Sequence, residues 1–179
     1  MSGVLAGEEL VAVYDADGQV VGSAPRRRVR AEGLWHAATM VLVRSVDGSR
    51  VYVHRRSLVK DIYPGMTDCF AGGVVDAGEH PDDGAVREVA EELGITGAPL
   101  TELFTFRFEQ PPLRCHYFVY EVRWDGPLVH QPEEIIDGAW VELPDLIAAL
   151  ADPDSDYVPD GRQIAIEWLN RLTPHGESR

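Results

Sequence analysis

The sequence predicts a single α/β domain. Its 179 residues fall within the usual size of one domain. With 45% hydrophobic and 26% charged residues, it has the composition of an average globular protein and is too apolar for a disordered chain. Short β-prone runs bounded by turn residues alternate with two segments of helical periodicity, and this mixture indicates the α/β class.

The chain opens with a predicted N-terminal hairpin extension, residues 1–30. Leu10 to Tyr14 and Gln19 to Gly22 are β-prone, and Asp17-Gly18 between them is typical of a tight reversal. An arginine-rich stretch at residues 26–30 follows, and we interpret it as an exposed basic turn whose arginines are further candidates for phosphate binding.

Later β-prone runs supply the rest of a sheet. Ala37 to Val43 and Val51 to His54 form a second predicted strand pair around the turn at Asp47-Gly48. Three further predicted strands are separated by Pro, Gly and acidic loops: Leu103 to Phe108, Cys115 to Trp124 and Ala139 to Leu143. The apolar centres of these runs predict that the strands are buried.

Two helices are predicted. The clearer one spans Pro81 to Leu93, because Pro81 suits a first helical turn, the acidic residues beside it complement the positive end of a helix, and Gly94 ends it. Apolar residues recur at helical spacing from Ile164 to Leu172. This periodicity indicates an amphipathic C-terminal helix within residues 159–173.

The charge and the cysteine content exclude several classes of function. Sixteen basic and thirty acidic residues leave a formal charge of −14, which disfavours duplex nucleic acid and anionic membrane surfaces as partners. Two cysteines, Cys69 and Cys115, are too few for a disulfide scaffold or a four-cysteine zinc site. The chain shows no secretory signal pattern and no apolar run near the roughly 18 residues of a membrane span, so a cytoplasmic protein is predicted.

Three glutamates share one face of the helix predicted over Pro81 to Leu93. At about 100° per residue, Glu91 and Glu92 lie about 60° and 40° to either side of Glu88. Like charges this close repel one another, so a cation is expected to offset them. A glutamate-rich helix taken alone is typical of a solvated surface, but the surrounding residues change this interpretation.

These glutamates stand within a fixed pattern. Gly73 is followed after five residues by Glu79 and after seven more by Arg87-Glu88-Val89-Ala90-Glu91-Glu92-Leu93-Gly94-Ile95. The stretch resembles the Nudix box and fills every defined position of it. The resemblance implies the family's α/β/α sandwich with a mixed central sheet, and hydrolysis of a diphosphate linkage in a nucleoside diphosphate or a nucleoside diphosphate linked to another moiety. It leaves the oligomeric state open, although family members are often homodimers.

The resemblance also implies roles for the residues of the box. In the family, the glutamates that match Glu88, Glu91 and Glu92 bind a divalent metal, and carboxylate oxygens are ligands that suit Mg²⁺ or Mn²⁺. The arginine that matches Arg87 orients the carboxylates, with the glutamate that matches Glu79 as its partner.

Residues outside the box complete the expected site. Gly72 lets a backbone carbonyl approach the metal. In the family, a loop carboxylate before the late strand often completes metal binding or activates water, and Glu134 and its neighbour Glu133 are the candidates for that role. Glu88 and Glu134 are the two candidates for accepting the proton of the attacking water, and the sequence does not decide between them.

Basic residues are expected to anchor a small-molecule diphosphate. The candidates are Arg55, Arg56 and Lys60, because guanidinium and ammonium groups bind phosphate oxygens. Side chains alternate along a strand, so only one of the two adjacent arginines is expected to face the site.

Two other functions are considered. Leu34 to Ala38 and Pro64 to Asp68 resemble the branch of the superfamily that includes isopentenyl-diphosphate isomerases, and the chain looks like the hydrolases close to that branch. An isomerase needs a cysteine and a metal-binding histidine where this chain has Gly72 and Val74, and Cys69 lies three residues early. The complete box favours hydrolysis, and it also argues against a non-catalytic ligand-sensing domain.

Overall fold

The computed structural model describes residues 8–172, and these begin with an antiparallel hairpin. Strands β1 (Leu10–Tyr14) and β2 (Val20–Pro25) pair as predicted and lead into helix α1 (Arg26–Glu32). The predicted exposed basic turn is therefore wrong. Arginine is a good helix former, and Gly33 ends the helix in the left-handed conformation with φ of 59°. Residues 1–7 of the predicted extension lie outside the described range.

The remaining elements alternate strands with helices. In chain order they are β3 (His36–Arg44), β4 (Arg50–Arg56), β5 (Thr67–Asp68), β6 (Phe70–Ala71), α2 (Pro81–Leu93), β7 (Leu100–Gln110), β8 (Leu113–Arg123), β9 (Ile135–Glu142), α3 (Leu143–Ala151) and α4 (Pro159–Leu172). Helix α2 has the predicted bounds. Thr173, at the end of the predicted C-terminal helix, lies outside the described residues. No helix within residues 8–172 is long and apolar enough to cross a membrane.

Strand β3 is the centre of a mixed sheet. It runs parallel to β8, from His36↔Cys115 to Arg44↔Arg123, and antiparallel to β1 and β6. Strands β3 and β4 meet only at Arg44↔Val51, beside the predicted turn. Beyond this pair they separate, and β4 pairs with β5 and β9 instead. The mixed sheet is as predicted.

One boundary corrects the sequence analysis. Strand β9 ends at Glu142, and Leu143 begins helix α3 instead of ending a strand. The signal for this helix was Pro144 in the first turn with Asp145 after it, since proline and an acidic side chain both suit a helix start.

Helices cover both faces of the sheet. On one face, Met40 and Leu42 of β3 belong to a buried cluster that includes Trp168 of α4 and residues of α3. On the other face, Val41 belongs to a cluster that includes Val89 of α2. Alternate residues of β3 thus pack into the cores on opposite faces of the sheet, and the α/β/α sandwich is confirmed.

Candidate active site

Helix α2 turns its polar face towards a cleft. His80 caps its first turn by accepting a hydrogen bond from the Asp82 amide at 3.3 Å, and Gly94 ends it at φ 70°. The opposite face of the helix packs in the core. We call this cavity of about 240 Å³ the glutamate cleft, and its main lining residues are Lys60, Gly72, Gly73, Val74, Arg87, Glu88, Glu91, Glu92, Gln131 and Glu134.

Arg87 holds the acidic groups of the box in place. Its Nε and Nη2 atoms donate to the two carboxylate oxygens of Glu79, at 2.9 and 3.0 Å. Its Nη1 atom donates to Glu88 Oε1 at 2.8 Å and lies 3.4 Å from Glu91 Oε2. The hydrogen bond with Arg87 lowers the pKa of Glu79, which therefore carries its charge and keeps the guanidinium in place.

Two carboxylates of the box are withdrawn from water. Glu92 is 5% exposed, and its Oε2 accepts a hydrogen bond of 3.1 Å from the Gly72 amide. Burial raises the pKa of Glu88, and burial together with the charge of Glu88 raises the pKa of Glu92 well above its ordinary value. Arg87 and Lys60 offset only part of the negative charge of this cleft, and repelling buried carboxylates favour a bound cation.

Two glycines that follow β6 allow the backbone to pass close to these carboxylates. A Cβ atom at Gly72 would lie 2.0 Å from the Thr39 carbonyl oxygen, and one at Gly73 would lie 2.4 Å from Glu88 Oε1. Any side chain here would therefore displace either the sheet backbone or the Glu88 carboxylate.

The second acidic part of the cleft is Glu134, which pairs with Lys60. The Lys60 Nζ atom donates to Glu134 Oε2, and the two side chains are only 15% and 26% exposed. Glu133, the alternative considered from sequence, does not line the glutamate cleft but a neighbouring cavity, which Lys60 and Glu134 also line.

The donor set suits a hard divalent cation, because it consists of buried carboxylate oxygens. Within residues 8–172, however, no three His, Cys, Asp or Glu side chains already converge around one point. Glu91 is 53% exposed and directed towards Arg87, so its carboxylate would have to turn to join Glu88 and Glu92. The Gly72 amide serves Glu92, and the contact of the Gly72 carbonyl with a metal stays a prediction.

The two adjacent arginines of β4 face opposite ways, as strand alternation predicts. Arg55 is 46% exposed, donates to the Gly65 carbonyl at 2.7 Å and pairs with Asp156. Arg55 does not line the glutamate cleft, so its role in anchoring a diphosphate stays a prediction. Arg56 is 17% exposed and faces a second cavity beside the glutamate cleft.

This second cavity, of about 90 Å³, was not predicted. We call it the polar pocket. Its polar lining side chains include those of Arg26, Arg30, Arg56, Lys60, Asp68, Tyr117 and Asp160, and apolar side chains such as Met40, Phe70 and Leu113 complete its wall. It shares Lys60, Arg26 and the backbone from Gly72 to Val74 with the glutamate cleft. The spacing of Arg26 and Arg30, four residues apart and hence on one helix face, was the signal that could have revealed it.

Of the two residues considered for the isomerase alternative, His36 lines the polar pocket and Cys69 does not. His36 is buried, its Nδ1 lies 3.2 Å from the Leu34 carbonyl oxygen, and burial lowers its pKa to about 4. Cys69 is 1% exposed and lines neither the cleft nor the pocket. Burial raises the pKa of the Cys69 thiol well above its ordinary value, so it is not a reactive thiolate.

Solved structures share the fold. DR0079 from Deinococcus radiodurans aligns with a TM-score of 0.77 and 24% identity over 89% of this chain and 98% of that one. The NUDIX domain of Shewanella oneidensis NrtR, in a complex with ADP ribose, aligns with a TM-score of 0.61 and 18% identity over 78% of this chain and 89% of that one.

Sequence comparison gives the family. The NUDIX domain model matches residues 34–161, which contain the whole box. The uncharacterized Nudix hydrolase orf19 of Rhodococcus erythropolis is 49% identical over 90% of this chain and 92% of the relative. The uncharacterized Nudix hydrolase YfcD of Escherichia coli K12 is 35% identical over 93% of this chain and 90% of the relative. With its complete box on an α/β/α sandwich, the chain belongs to the Nudix hydrolase family and is a pyrophosphohydrolase.

Proposed function

We propose that the protein hydrolyses the diphosphate linkage of a nucleoside diphosphate, or of a nucleoside diphosphate joined to another moiety, with Mg²⁺ or Mn²⁺. The observation that carries this proposal is the meeting of Glu88, Glu92 and Glu134 with Lys60 in one cleft. The ADP ribose bound to the NrtR domain is a compound of the proposed class.

The carboxylates of the box are the proposed metal ligands. Glu88 and Glu92 would hold the ion, and Glu91 would join them once it turns from Arg87. A bound divalent cation would supply neutralisation of phosphoryl charge and a lowered pKa of a coordinated water. The Gly72 amide keeps one oxygen of Glu92 oriented, which lowers the cost of assembling the site.

Cationic side chains orient the substrate. Lys60 lies where the glutamate cleft and the polar pocket meet, and it can therefore donate to phosphate oxygens that lie between them. Arg56 donates to the Ile62 carbonyl at 3.1 Å, which fixes its guanidinium at the edge of the polar pocket. Arg87 instead keeps Glu79 and Glu88 in position and is proposed as an orienting residue.

Two carboxylates are positioned to accept the proton of the attacking water. Glu88 lies on the helix and is held by Arg87, whereas Glu134 lies in the loop before β9 and is held by Lys60. If Lys60 turns to a phosphate oxygen, Glu134 is released to act as the base. Both residues remain candidates for this role.

A substrate screen tests the proposal. Nucleotides, nucleotide sugars, dinucleotides and prenyl diphosphates are incubated with Mg²⁺, Mn²⁺ or EDTA, and the products are separated by anion-exchange chromatography. We expect cleavage of at least one nucleoside diphosphate compound, lost in EDTA and restored by added metal. Failure to cleave any compound would favour the ligand-sensing alternative, and cleavage of prenyl diphosphates alone would contradict the substrate class.

A further inference from the structure

Three guanidinium groups converge on the polar pocket. Arg26 and Arg30 come from one face of α1, and Arg56 comes from the end of β4. Arg28, on the other side of the same helix, is 60% exposed. In a chain with a net charge of −14, this gathering of positive charge is a local property of the pocket.

Each of the three arginines has a buried hydrogen-bond donor without an acceptor in the described part of the chain. Among residues 8–172, Arg26 Nε, Arg30 Nη1 and Arg56 Nε are buried and have no acceptor. Other nitrogens of these groups are paired, with Glu9 at 3.3 Å, Asp61 at 2.9 Å and Asp68 at 3.5 Å respectively. Burial lowers the pKa of Arg30, and the charges of Arg26 and Arg56 lower it further against the opposing effect of Asp61. An anionic ligand would accept from these donors and relieve their mutual repulsion.

Two buried aspartates, Asp68 and Asp160, also line the pocket, and we call this acidic part its floor. Asp68 and Asp160 are only 3% and 6% exposed, and Gly161 lies against both. The Gly161 amide donates to Asp160 Oδ1 at 2.9 Å, and a Cβ atom at Gly161 would lie 2.9 Å from Asp68 Oδ1. Tyr117 donates its hydroxyl to Asp160 Oδ2. Each carboxylate oxygen has two lone pairs, so the floor can accept further hydrogen bonds from a ligand.

The size of the pocket limits what it can hold. Its volume of about 90 Å³ is several times the ~10–15 Å³ of cavity that one water molecule requires. The pocket can therefore hold a phosphate with a short hydroxylated chain. The shared wall at Lys60 and Gly72 to Val74 makes the pocket a continuation of the glutamate cleft.

We propose that the polar pocket binds the non-nucleoside half of the substrate, with its phosphate on the three arginines and its hydroxyl groups on Asp68 and Asp160. This inference rests on the proposed function, and it narrows the substrate to a nucleoside diphosphate joined to a compact polyhydroxylated group. An isoprenoid chain would leave the two carboxylates without donors. Arg26 and Arg30 precede the matched family domain, which begins at residue 34, so the N-terminal extension contributes to specificity.

Two small ligands test the proposal directly. Glycerol 3-phosphate and n-propyl phosphate share a phosphate and a three-carbon chain and differ in their hydroxyl groups. Isothermal titration calorimetry in EDTA at pH 8 is expected to show glycerol 3-phosphate binding at least about tenfold more tightly. Equal affinities would overturn the assignment of the floor, and failure of both ligands to bind would overturn the whole proposal.

Substitutions test whether these ligands bind in the polar pocket. Arg30→Gln is expected to weaken both ligands about tenfold, and Arg26→Gln provides the same test if the first variant does not fold. Arg28→Gln, on the exposed side of α1, is the matched control and should change neither affinity. Asp68→Asn should reduce the preference for glycerol 3-phosphate. Unchanged affinities in both the Arg30 and the Arg26 variant would overturn the proposal.

Two further measurements separate this proposal from the proposed hydrolysis. Glu92→Gln should bind glycerol 3-phosphate with unchanged affinity, because Glu92 lines the cleft and not the pocket. Lys60 is the only lysine of the sequence, so protection of its peptide from amine acylation by glycerol 3-phosphate reports occupancy of the pocket. Absence of protection at a saturating ligand concentration would show that the ligand binds elsewhere and would overturn the proposal.

Discussion

The glutamate cleft and the polar pocket share a wall but differ in their charged groups, since carboxylates predominate in the cleft and arginines gather in the pocket. The cleft gathers Glu88, Glu91 and Glu92 from a single helix. The pocket gathers Arg26, Arg30 and Arg56 from a helix and a strand, above two buried aspartates. A phosphate can approach the carboxylates only through a bridging cation, whereas it can bind the guanidinium groups directly. In the proposed binding mode, the two halves of a diphosphate therefore meet two different kinds of binding site.

The two regions also differ in how their charged groups are restrained. In the cleft, Arg87 satisfies Glu79 with two hydrogen bonds and Glu88 with a third, so the acidic groups are held before any ligand binds. In the pocket, each arginine has one acidic partner and keeps at least one buried donor without an acceptor. The cleft is therefore organised for a reaction, and the pocket is organised to complete its hydrogen bonds with a ligand.

The largest expected effect comes from Glu92→Gln. The substitution keeps the shape of the side chain and removes a proposed metal ligand, so turnover should fall by about 10²–10³ while the pocket is unaffected. Without metal, thermal unfolding should occur at a higher temperature, because one of several repelling buried carboxylates is gone. Glu167→Gln, at an exposed ion pair of α4, is the control. Near-normal turnover of folded Glu92→Gln would contradict the metal assignment.

Asp68→Asn tests the floor of the pocket through pH. Burial raises the pKa of Asp68 from 3.8 to about 7, so unfolding releases a proton between these values and the free energy of unfolding falls as pH rises. The wild type should therefore lose up to roughly 4 kcal/mol relative to Asp68→Asn between pH 4 and pH 8. Urea unfolding of both proteins at several pH values measures this difference. Parallel pH profiles of the two proteins would contradict the raised pKa of Asp68.

Alanine substitutions in the shared wall should separate stability from activity. Gly72→Ala places a Cβ atom against the Thr39 carbonyl and should cost about 2–3 kcal/mol of stability. Gly73→Ala meets the movable Glu88 carboxylate instead, so stability should fall less and turnover by about tenfold. Gly22→Ala has open space around it and is the control. Full activity of Gly73→Ala would show that Glu88 need not occupy its observed position.

The smallest effect is expected for Cys69→Ser. This residue is buried behind the pocket and lines neither cavity, so hydrolysis should be unchanged, at a stability cost of about 1 kcal/mol. The protein should also not exchange protons into isopentenyl diphosphate, as followed by NMR in deuterated water. Isotope incorporation that depends on Cys69 would contradict the hydrolase assignment and support the isomerase alternative.

The glutamate cleft was largely predictable because its main parts are close in sequence. Pro81 and Gly94 mark the ends of α2, and the spacing of Glu88, Glu91 and Glu92 puts them on one face whatever the helix packs against. Arg87 lies within reach of Glu79 for the same local reason. Strand periodicity likewise predicted most of the sheet, although it did not reveal that β4 leaves β3 after Arg44↔Val51.

Other features depended on which surfaces pack together. Alternation required Arg55 and Arg56 to face opposite ways, but only the packing of β4 decided that Arg56 faces inward. Glu134 and Glu133 were distinguished in the same way, by the side of the loop that meets Lys60.

The sequence by itself determined the family, the reaction class and the carboxylate face, because a helix and its caps are set by residues within a few positions of one another. Only the tertiary structure brought Arg26 of α1 and Asp160 of α4 into one pocket, although they lie far apart in the sequence. Their presence in one pocket depends on how α1 and α4 dock on the sheet. Hydrophobic burial, which drives docking, is non-directional and leaves no local spacing to recognise.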